Sequence, residues 1–126
     1  MDILIVEDEA ILAMEYLMLL RGLGYRAVEH AFDAKTALAA VEKCLPRVIL
    51  LDIKLRGSTD GIEVAEVIRR RHDVPIVFIT SYADADTLGR AWRTRPAYVL
   101  SKIGDHRELC RVVVELMAAQ GTISEN

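Results

Sequence analysis

Polar residues that could bind a cation and a phosphate group follow four short apolar runs of this 126-residue chain. The acidic pair Glu7 and Asp8 ends one run, and Asp52 ends another. Thr80 and Lys102 close two later runs. In a parallel α/β sheet the carboxyl ends of the strands lie along one edge, so these side chains are expected to converge on one pocket. Three carboxylates, a hydroxyl and an ammonium group make that pocket suitable for a cation and a phosphate.

Phosphoryl transfer is the chemistry that this set of groups suits. The reaction depends on positioning and on neutralising charge on the equatorial oxygens, so a divalent cation and an ammonium group are needed beside a nucleophile. Three carboxylates, Lys102 and a divalent cation have formal charges that cancel. Without the cation the carboxylates repel one another, and one carboxyl pKa should rise. Mg²⁺ suits the site because it prefers oxygen ligands and keeps several waters.

Short apolar runs alternate with segments of helical periodicity five times, which predicts βα units around a parallel sheet. The strands are predicted at about residues 2–6, 26–30, 47–52, 75–80 and 97–101. Helices are predicted between the strands from apolar spacing and from residues that start or end a helix. Gly22 and Gly24 end the first helix, and Pro46 ends a second one at residues 34–43. The third begins after Asp60, and the fourth runs from its cap Asp84 to Pro96. The last helix has an inward stripe of Leu109, Val112, Val113 and Leu116.

The predicted fold is a doubly wound, five-stranded parallel sheet with strand order 2-1-3-4-5, in a flavodoxin-like three-layer α/β/α arrangement. This order places the first and third strands side by side, so that Asp8 and Asp52 face each other. We expect residues 1–119 to form one domain, residues 120–126 to form a flexible tail, and no second folded unit to be present.

Composition argues against several classes of partner. The net charge is −3, with 52% hydrophobic residues, and gives no basic excess for direct nucleic-acid binding. Two local arginine clusters, at 69–71 and at 90–95, are interpreted as solvated helix ends. No apolar run approaches the roughly 20 residues of a membrane span, and we expect a cytoplasmic protein. Cys44 and Cys110 form no metal motif and are expected to be buried small apolar residues.

The sequence resembles the receiver domain of two-component response regulators over essentially its whole length, in the stand-alone, single-domain form. Glu7 and Asp8, Asp52, the pair Thr80 and Ser81, and Lys102 carry this resemblance. It implies that Asp52 accepts a phosphoryl group from a phosphohistidine on a histidine kinase or phosphotransfer protein. Such a chain signals by conformational change or phosphorelay. It is not an enzyme beyond catalysing its own phosphorylation and autodephosphorylation.

The resemblance also implies roles for the other residues of the site. Asp8 and Asp52, with the backbone carbonyl of Lys54, would hold Mg²⁺, and Glu7 would act through a metal-bound water. Thr80 and Lys102 would contact the phosphoryl group. Lys54 and Tyr82 stand at the positions that gate the hydrolytic water, and their bulk predicts a long-lived phosphorylated form.

The chain departs from the family pattern around the strand-5 end and the loop after strand 3. Ile103 follows Lys102 where the family has proline, so a trans peptide is expected there. Val99 stands where the family has an aromatic residue, and Tyr98, one residue earlier, should point to the other face of the strand. In the loop after strand 3, Arg56 replaces a proline and Gly61 comes one residue late. These departures leave the acceptor site intact and predict that the signal leaves through residues 81–92 rather than through strand 5.

Three further interpretations remain open from the sequence. One is a receiver-like binding module that works without phosphorylation. Another is a Mg²⁺-dependent aspartyl phosphatase of haloacid dehalogenase type, although that family needs a second Asp where this chain has Lys54.

The third concerns the first helix, where Ile11, Met14 and Met18 are predicted to pack on the sheet. The remaining stripe would then form a docking face for a phosphotransfer bundle or a second copy of the chain, and its members are Leu12, Tyr16 and Leu19.

Overall fold

A computed structural model describes residues 1–81, 84–102 and 106–124, with side chains through residue 120. The five strands are β1 (Ile3–Val6), β2 (Val28–Ala31), β3 (Val48–Asp52), β4 (Ile76–Thr80) and β5 (Tyr98–Ser101). The five helices are α1 (Ala10–Gly22), α2 (Ala34–Lys43), α3 (Gly61–Arg69), α4 (Ala85–Arg93) and α5 (Arg107–Ser124). All strand limits lie within two residues of the prediction.

The strands form one parallel sheet in the order β2-β1-β3-β4-β5, which confirms the predicted doubly wound fold. Its central strands are apolar on both faces, and every residue of β1, β3 and β4 is buried. Such continuous burial is typical of a parallel sheet covered by helices on both sides. Chain reversal between β1 and β3 creates the switch point at which ligands bind in such folds.

Two apolar cores cover the two faces of the sheet. One contains Leu4, Val6 and Phe78 and packs against α2, α3 and α4. The other contains Ile3 and Ile5 and packs against α1 and α5. Successive residues of β1 therefore alternate between the two cores, as the two-residue period of a strand requires.

Polar side chains at the starts of three helices satisfy backbone N–H groups that the helices leave unpaired. Asp33 accepts from Thr36 N at 2.9 Å, and Asp60 accepts from Glu63 N at 2.9 Å. Asp84 accepts from Thr87 N at 2.7 Å, so its predicted role as the cap of α4 is confirmed. Each such cap contributes about 1 kcal/mol, and together they fix where the loops at the sheet edge end.

The prediction for α1 was wrong about which face packs on the sheet. Ile11, Met14 and Met18 are 86%, 62% and 69% exposed, whereas Tyr16 is 2% exposed and Leu20 is fully buried. The helix is apolar nearly all round, so spacing alone fits two inward faces. Small Ala13 and the long side chains of Tyr16 and Leu20 define the face that packs on the sheet. The exposed stripe is therefore Ile11, Met14 and Met18.

The cysteine prediction was also wrong for Cys44, which is exposed, and Cys110 is only partly buried. Cys44 lies just after α2 in an extended conformation (φ −156°, ψ 111°), where the chain has already left the helix. Its Sγ lies 3.4 Å from the amino group of Met1.

Helix α5 continues to Ser124, past the domain boundary predicted at residue 119. The side-chain amide of Gln120 donates to the backbone oxygen of Arg47 at 2.6 Å, which ties this turn to the start of β3. Tyr98 packs in the core on the α5 side, and Val99 packs in the core on the α3 and α4 side. The two residues therefore point to opposite faces, as predicted. In the part of the chain that the structure describes, no helix is long and apolar enough to cross a membrane.

Candidate functional site

The ends of β1 and β3 bring the acidic residues together. Val6 of β1 pairs with Leu51 of β3 in parallel register, so Glu7 and Asp52 come one residue later on adjacent strands. Asp52 in turn pairs with Ile79, which places Thr80 beyond it on β4. Carboxyl ends of neighbouring parallel strands thus put these residues at one edge of the sheet, as the spacing of the apolar runs predicts.

Three carboxylates form a compact cluster at this edge. Glu7, Asp8 and Asp52 each offer an oxygen, and these oxygens lie within 4.8 Å of one another. Glu7 is 1% exposed and Asp52 is 5% exposed, while Asp8 is partly buried at the rim. Buried carboxylates at such separations cannot all stay ionised without cations nearby.

Lys102 supplies one of those cations. Its Nζ lies 2.9 Å from Glu7 Oε1 and 3.0 Å from Asp52 Oδ2. Its backbone N–H donates to Thr80 O at 2.9 Å, which holds the end of β5 against the end of β4. The lysine thus crosses the pocket above β4 and ion-pairs with the two buried carboxylates.

The pKa values in the cluster report its burial. Desolvation raises the pKa of Glu7 to about 7, against the opposing hydrogen bonds from Glu9 N–H and Lys102. Burial also raises the pKa of Asp52, with Lys102 again opposing the shift. Burial lowers the pKa of Lys102, but its hydrogen bonds to Glu7 and Asp52 outweigh that effect and leave the pKa raised. One ammonium group therefore does not fully compensate two buried carboxylates.

The donor set fits a hard divalent cation. Glu7 Oε1 is buried and, despite its ion pair with Lys102, has no hydrogen bond of good geometry. The three clustered oxygens are carboxylate oxygens, which Mg²⁺ prefers. Lys54 N donates to Asp52 Oδ1 at 3.3 Å, so the backbone of Lys54 lies beside the Asp52 carboxylate. A bound Mg²⁺ would bring a second cation to these carboxylates, whose charge Lys102 alone does not fully compensate.

Thr80 is 8% exposed and ends β4 next to the cluster. The structure thus places Glu7, Asp8, Asp52, Thr80 and Lys102 at one sheet edge. Two residues singled out by the sequence, Tyr82 and Ile103, lie outside the described residues. The side chain of Lys54 is exposed. The long lifetime expected for the phosphorylated form from Lys54 and Tyr82 stays a prediction.

Sequence reasoning missed the residues that position the acidic pair. His30, at the end of β2, places its Nε2 2.7 Å from the backbone oxygen of Glu7. Arg56 Nε lies 3.8 Å from Asp8 Oδ2 at the rim of the site. A polar residue near the end of the strand beside β1 could have indicated His30, whereas no spacing signal indicates Arg56.

The backbone of Asp52 leaves no room for a side chain at Gly61. A Cβ at this position would overlap Asp52 O and lie 2.9 Å from the Asp52 carbonyl carbon. The Gly61 N–H donates to Ile53 O at 2.7 Å, so the start of α3 is bound directly to the segment that follows Asp52. This contact explains why a glycine stands at position 61, one residue later than in the family pattern.

A sequence model of the response regulator receiver domain matches residues 3–114. The chain belongs to this family. The comparisons do not favour the phosphatase or the phosphorylation-independent module that the sequence left open.

Two regulators illustrate the match in sequence. The chain is 33% identical over 102 residues to the phyllosphere-induced regulator PhyR of Methylorubrum extorquens, covering 80% of this chain and 38% of PhyR. It is 35% identical over 89 residues to the transcriptional regulatory protein PdtaR of Mycobacterium tuberculosis, covering 71% of this chain and 43% of PdtaR. The chain therefore spans less than half the length of either relative.

Solved receiver domains match over nearly their whole length. The receiver domain of NtrX from Brucella abortus superposes with a TM-score of 0.84 at 31% identity, over 93% of this chain and 98% of that one. The signal receiver domain of a modulated diguanylate cyclase from Desulfovibrio desulfuricans gives a TM-score of 0.85 at 30% identity, over 96% of both chains. Both matches extend the family assignment to the complete fold.

Proposed function

We propose that Asp52 accepts a phosphoryl group in a Mg²⁺-dependent reaction, from a phosphohistidine on a histidine kinase or histidine phosphotransfer protein. One arrangement supports this proposal: buried Asp52 lies with Glu7 and Asp8 within 4.8 Å and with Lys102 Nζ at 3.0 Å. The phosphorylated receiver then signals by conformational change or passes the group on.

In this transfer one carboxylate oxygen of Asp52 forms a bond to phosphorus while the phosphorus–nitrogen bond of the donor imidazole breaks. The electron pair of that bond stays on the nitrogen, which takes up a proton. Bound Mg²⁺ would neutralise charge on the phosphoryl oxygens. Asp8, Asp52 and the backbone carbonyl of Lys54 would hold the ion, and Glu7 would act through one of its waters.

Lys102 and Thr80 would bind the phosphoryl group once it is attached. The ammonium group that pairs with Asp52 Oδ2 at 3.0 Å can move to an oxygen of the new phosphate, which brings more negative charge to the same place. Thr80 lies at the neighbouring strand end, where its hydroxyl can follow. Both movements would pull the loop after β4 towards the acceptor.

The exposed stripe of α1 is the surface that we propose for the phosphodonor. Ile11, Met14 and Met18 lie at i, i+3 and i+7 and are each more than 60% exposed. Helix α1 begins at Ala10, two residues after Asp8, so a partner on this stripe would hold its phosphohistidine near the edge of the sheet that carries Asp52. Flexible Met side chains suit a face that packs on another helix.

The remaining assignments rest on the family and the composition. We propose that residues 1–119 are the receiver domain, that residues 120–126 are a tail, and that the protein acts in the cytoplasm without direct contact with nucleic acid.

Phosphorylation is tested by intact-mass measurement after incubation with acetyl phosphate and Mg²⁺. We expect one added phosphoryl group, which Asp52→Asn abolishes and removal of Mg²⁺ prevents. Asp60→Asn is the matched control, because Asp60 is a nearby carboxylate that caps α3 and lies outside the cluster. A phosphoryl mass on Asp52→Asn would refute the assignment.

The docking face is tested with Ile11→Ser/Met18→Ser. We expect slower transfer from a phosphorylated phosphotransfer protein and unchanged labelling by acetyl phosphate, since the small donor needs no docking surface. Val114→Ser, at a 42% exposed apolar residue on α5, is the control. If the double variant changes only the sedimentation of the free chain, the stripe is a contact between two copies instead.

A further inference from the structure

All the arginines of the two sequence clusters except Arg71 line a single cleft in the fold. This cleft, of about 550 Å³, lies between the C-terminal parts of α3 and α4. Five arginines line it together with one carboxylate, Glu66, and they are Arg69, Arg70, Arg90, Arg93 and Arg95. Helices in a parallel α/β fold run opposite to the strands, so this end of α3 and α4 lies at the edge away from Asp52. The cleft is therefore separate from the acceptor site.

Arg69 has a structural role, because its guanidinium binds backbone carbonyl groups at the base of the cleft. Its guanidinium donates to Thr94 O at 2.8 Å, Val74 O at 2.6 Å and Arg95 O at 3.1 Å. These bonds join the loop after α3 to the loop after α4 and form a fixed floor for the cleft. Binding of these backbone carbonyls therefore explains the presence of Arg69 without a ligand.

Of the other four arginines that line the cleft, only Arg90 has a structural partner among the described residues. Arg90 pairs with Asp60 Oδ2 at 3.5 Å. Arg70, Arg93 and Arg95 make no side-chain hydrogen bond or ion pair with any residue that the structure describes. Five guanidinium groups against Glu66, Asp60 and Asp73, which lies near Arg69, leave two positive charges, while two helix C-termini offset only about one. The cleft keeps a net positive charge in a chain whose net charge is −3.

Arg95 adds a second observation. It has φ of +58°, in the left-handed region, directly after the C-cap residue of α4. Glycine is the residue that takes this conformation without strain. The chain instead has an exposed arginine there, so the strained position adds a guanidinium group to the cleft.

We propose that this cleft binds a small anion that carries a chain of two or more phosphate groups. Guanidinium groups bind phosphate oxygens in bidentate pairs, and three uncommitted groups around one concavity suit several linked phosphates. A nucleoside triphosphate and inorganic tripolyphosphate share this chemistry. A nucleic-acid duplex fits less well, because Glu66 lies inside the cleft and the net charge of the chain is −3.

Calorimetric titration of the whole chain tests the proposal, in buffer without divalent cations so that the acceptor site does not bind phosphate. We expect tripolyphosphate to bind with a stoichiometry of one and at least tenfold more tightly than inorganic phosphate. Arg70→Gln/Arg93→Gln should weaken that binding at least tenfold. ATP binding more tightly than tripolyphosphate would identify a nucleotide as the ligand, and equal binding would show that the phosphate chain alone is recognised.

Arg21→Gln/Arg26→Gln is the matched control, because it removes the same charge from exposed residues outside the cleft. Equal weakening by both double variants would overturn the proposal, since it would show attraction to overall charge. A short single-stranded RNA that binds more tightly than tripolyphosphate would also overturn it in favour of nucleic acid.

Arg95→Gly separates binding from structure. A glycine relieves the left-handed conformation, so the melting temperature should rise while tripolyphosphate binding weakens at least threefold. A lower melting temperature together with unchanged binding would show that Arg95 has only a structural role and would contradict its place in the site.

Discussion

Lys102 Nζ lies 3.0 Å from Asp52 Oδ2, so the candidate phosphoacceptor is already ion-paired with a lysine from the end of β5. The same atom lies 2.9 Å from Glu7 Oε1. One ammonium group therefore only partly compensates two buried carboxylates whose pKa values are raised by desolvation. In the absence of a divalent cation, the stability of this edge of the sheet depends on that single lysine.

Removing the lysine should destabilise the metal-free protein. For Lys102→Ala we expect the free energy of unfolding to fall by about 3 kcal/mol, because two buried carboxylates lose their partner. Mg²⁺ should restore part of the loss, since it neutralises the same oxygens and binds only the folded state. Urea denaturation with and without Mg²⁺ measures both effects, with Lys35→Ala at an exposed position as the control. A loss of the same size in both buffers would contradict this account.

Glu7 should make the metal-free protein less stable as the pH rises. Its pKa is raised from 4.5 to about 7 in the fold, so the folded state holds a proton that the unfolded state has lost between these values. The free energy of unfolding therefore falls with rising pH across this window, by on the order of 3 kcal/mol at about 1.4 kcal/mol per pKa unit. Glu7→Gln should flatten most of that dependence.

Denaturation midpoints at several pH values check this prediction. Glu29→Gln, at an exposed residue of β2, should keep the slope of the unmodified protein. The remaining slope in Glu7→Gln reports Asp52, whose pKa is raised by burial. If Glu7→Gln kept the full slope, Glu7 would not be the titrating group.

Gly61→Ala should damage the acceptor site through the backbone. The added Cβ would overlap Asp52 O, so either β3 or the start of α3 must move. We expect a loss of about 3 kcal/mol in the free energy of unfolding and slower labelling by acetyl phosphate. Gly89→Ala is the control, because a Cβ at Gly89 within α4 would meet only Arg93 Nη2 at 4.0 Å, and the variant should gain up to about 1 kcal/mol in the free energy of unfolding. Similar effects of the two substitutions would contradict the steric argument.

Arg56 should compete weakly with the metal for Asp8. Its Nε lies 3.8 Å from Asp8 Oδ2, and the side chain is 80% exposed, so the pair contributes little stability. We expect Arg56→Ala to tighten Mg²⁺ binding about threefold, in line with an exposed ion pair. Lys54→Ala is the control, because it removes an exposed cation from the same loop, and Lys54 forms no ion pair with Asp8 among the described residues. Calorimetric Mg²⁺ titration would contradict the prediction if both variants tightened binding equally.

The sequence predicted the sheet well because its signals are local. The buried runs of β1, β3 and β4 are continuous and apolar, and polar residues mark where each one ends. Strand order then follows from the handedness of the crossovers. The cluster of Glu7, Asp8 and Asp52 at one edge is a consequence of that order.

The face of α1 could not be predicted because it depends on shape rather than on polarity. Ile11, Met14 and Met18 are as apolar as the residues that pack inward, so hydrophobic spacing does not distinguish the two faces. Tyr16 is buried because its long ring reaches the core beside α5, where it contacts His106 edge-on at 5.6 Å. A contact between side chains 90 residues apart gives no signal in the local pattern.

Phosphorylation should change α4 rather than an aromatic residue of β5. Val99 packs against the core and is stiff at χ1, so it cannot turn as a ring would. Gly89 weakens α4 by about 1 kcal/mol relative to alanine, and Trp92 on that helix is 54% exposed. We expect beryllofluoride with Mg²⁺ to alter both the emission of Trp92, the one tryptophan in the sequence, and hydrogen exchange in residues 84–92. Asp52→Asn should abolish both changes, and protection confined to residues 98–101 would show that the signal leaves through β5 instead.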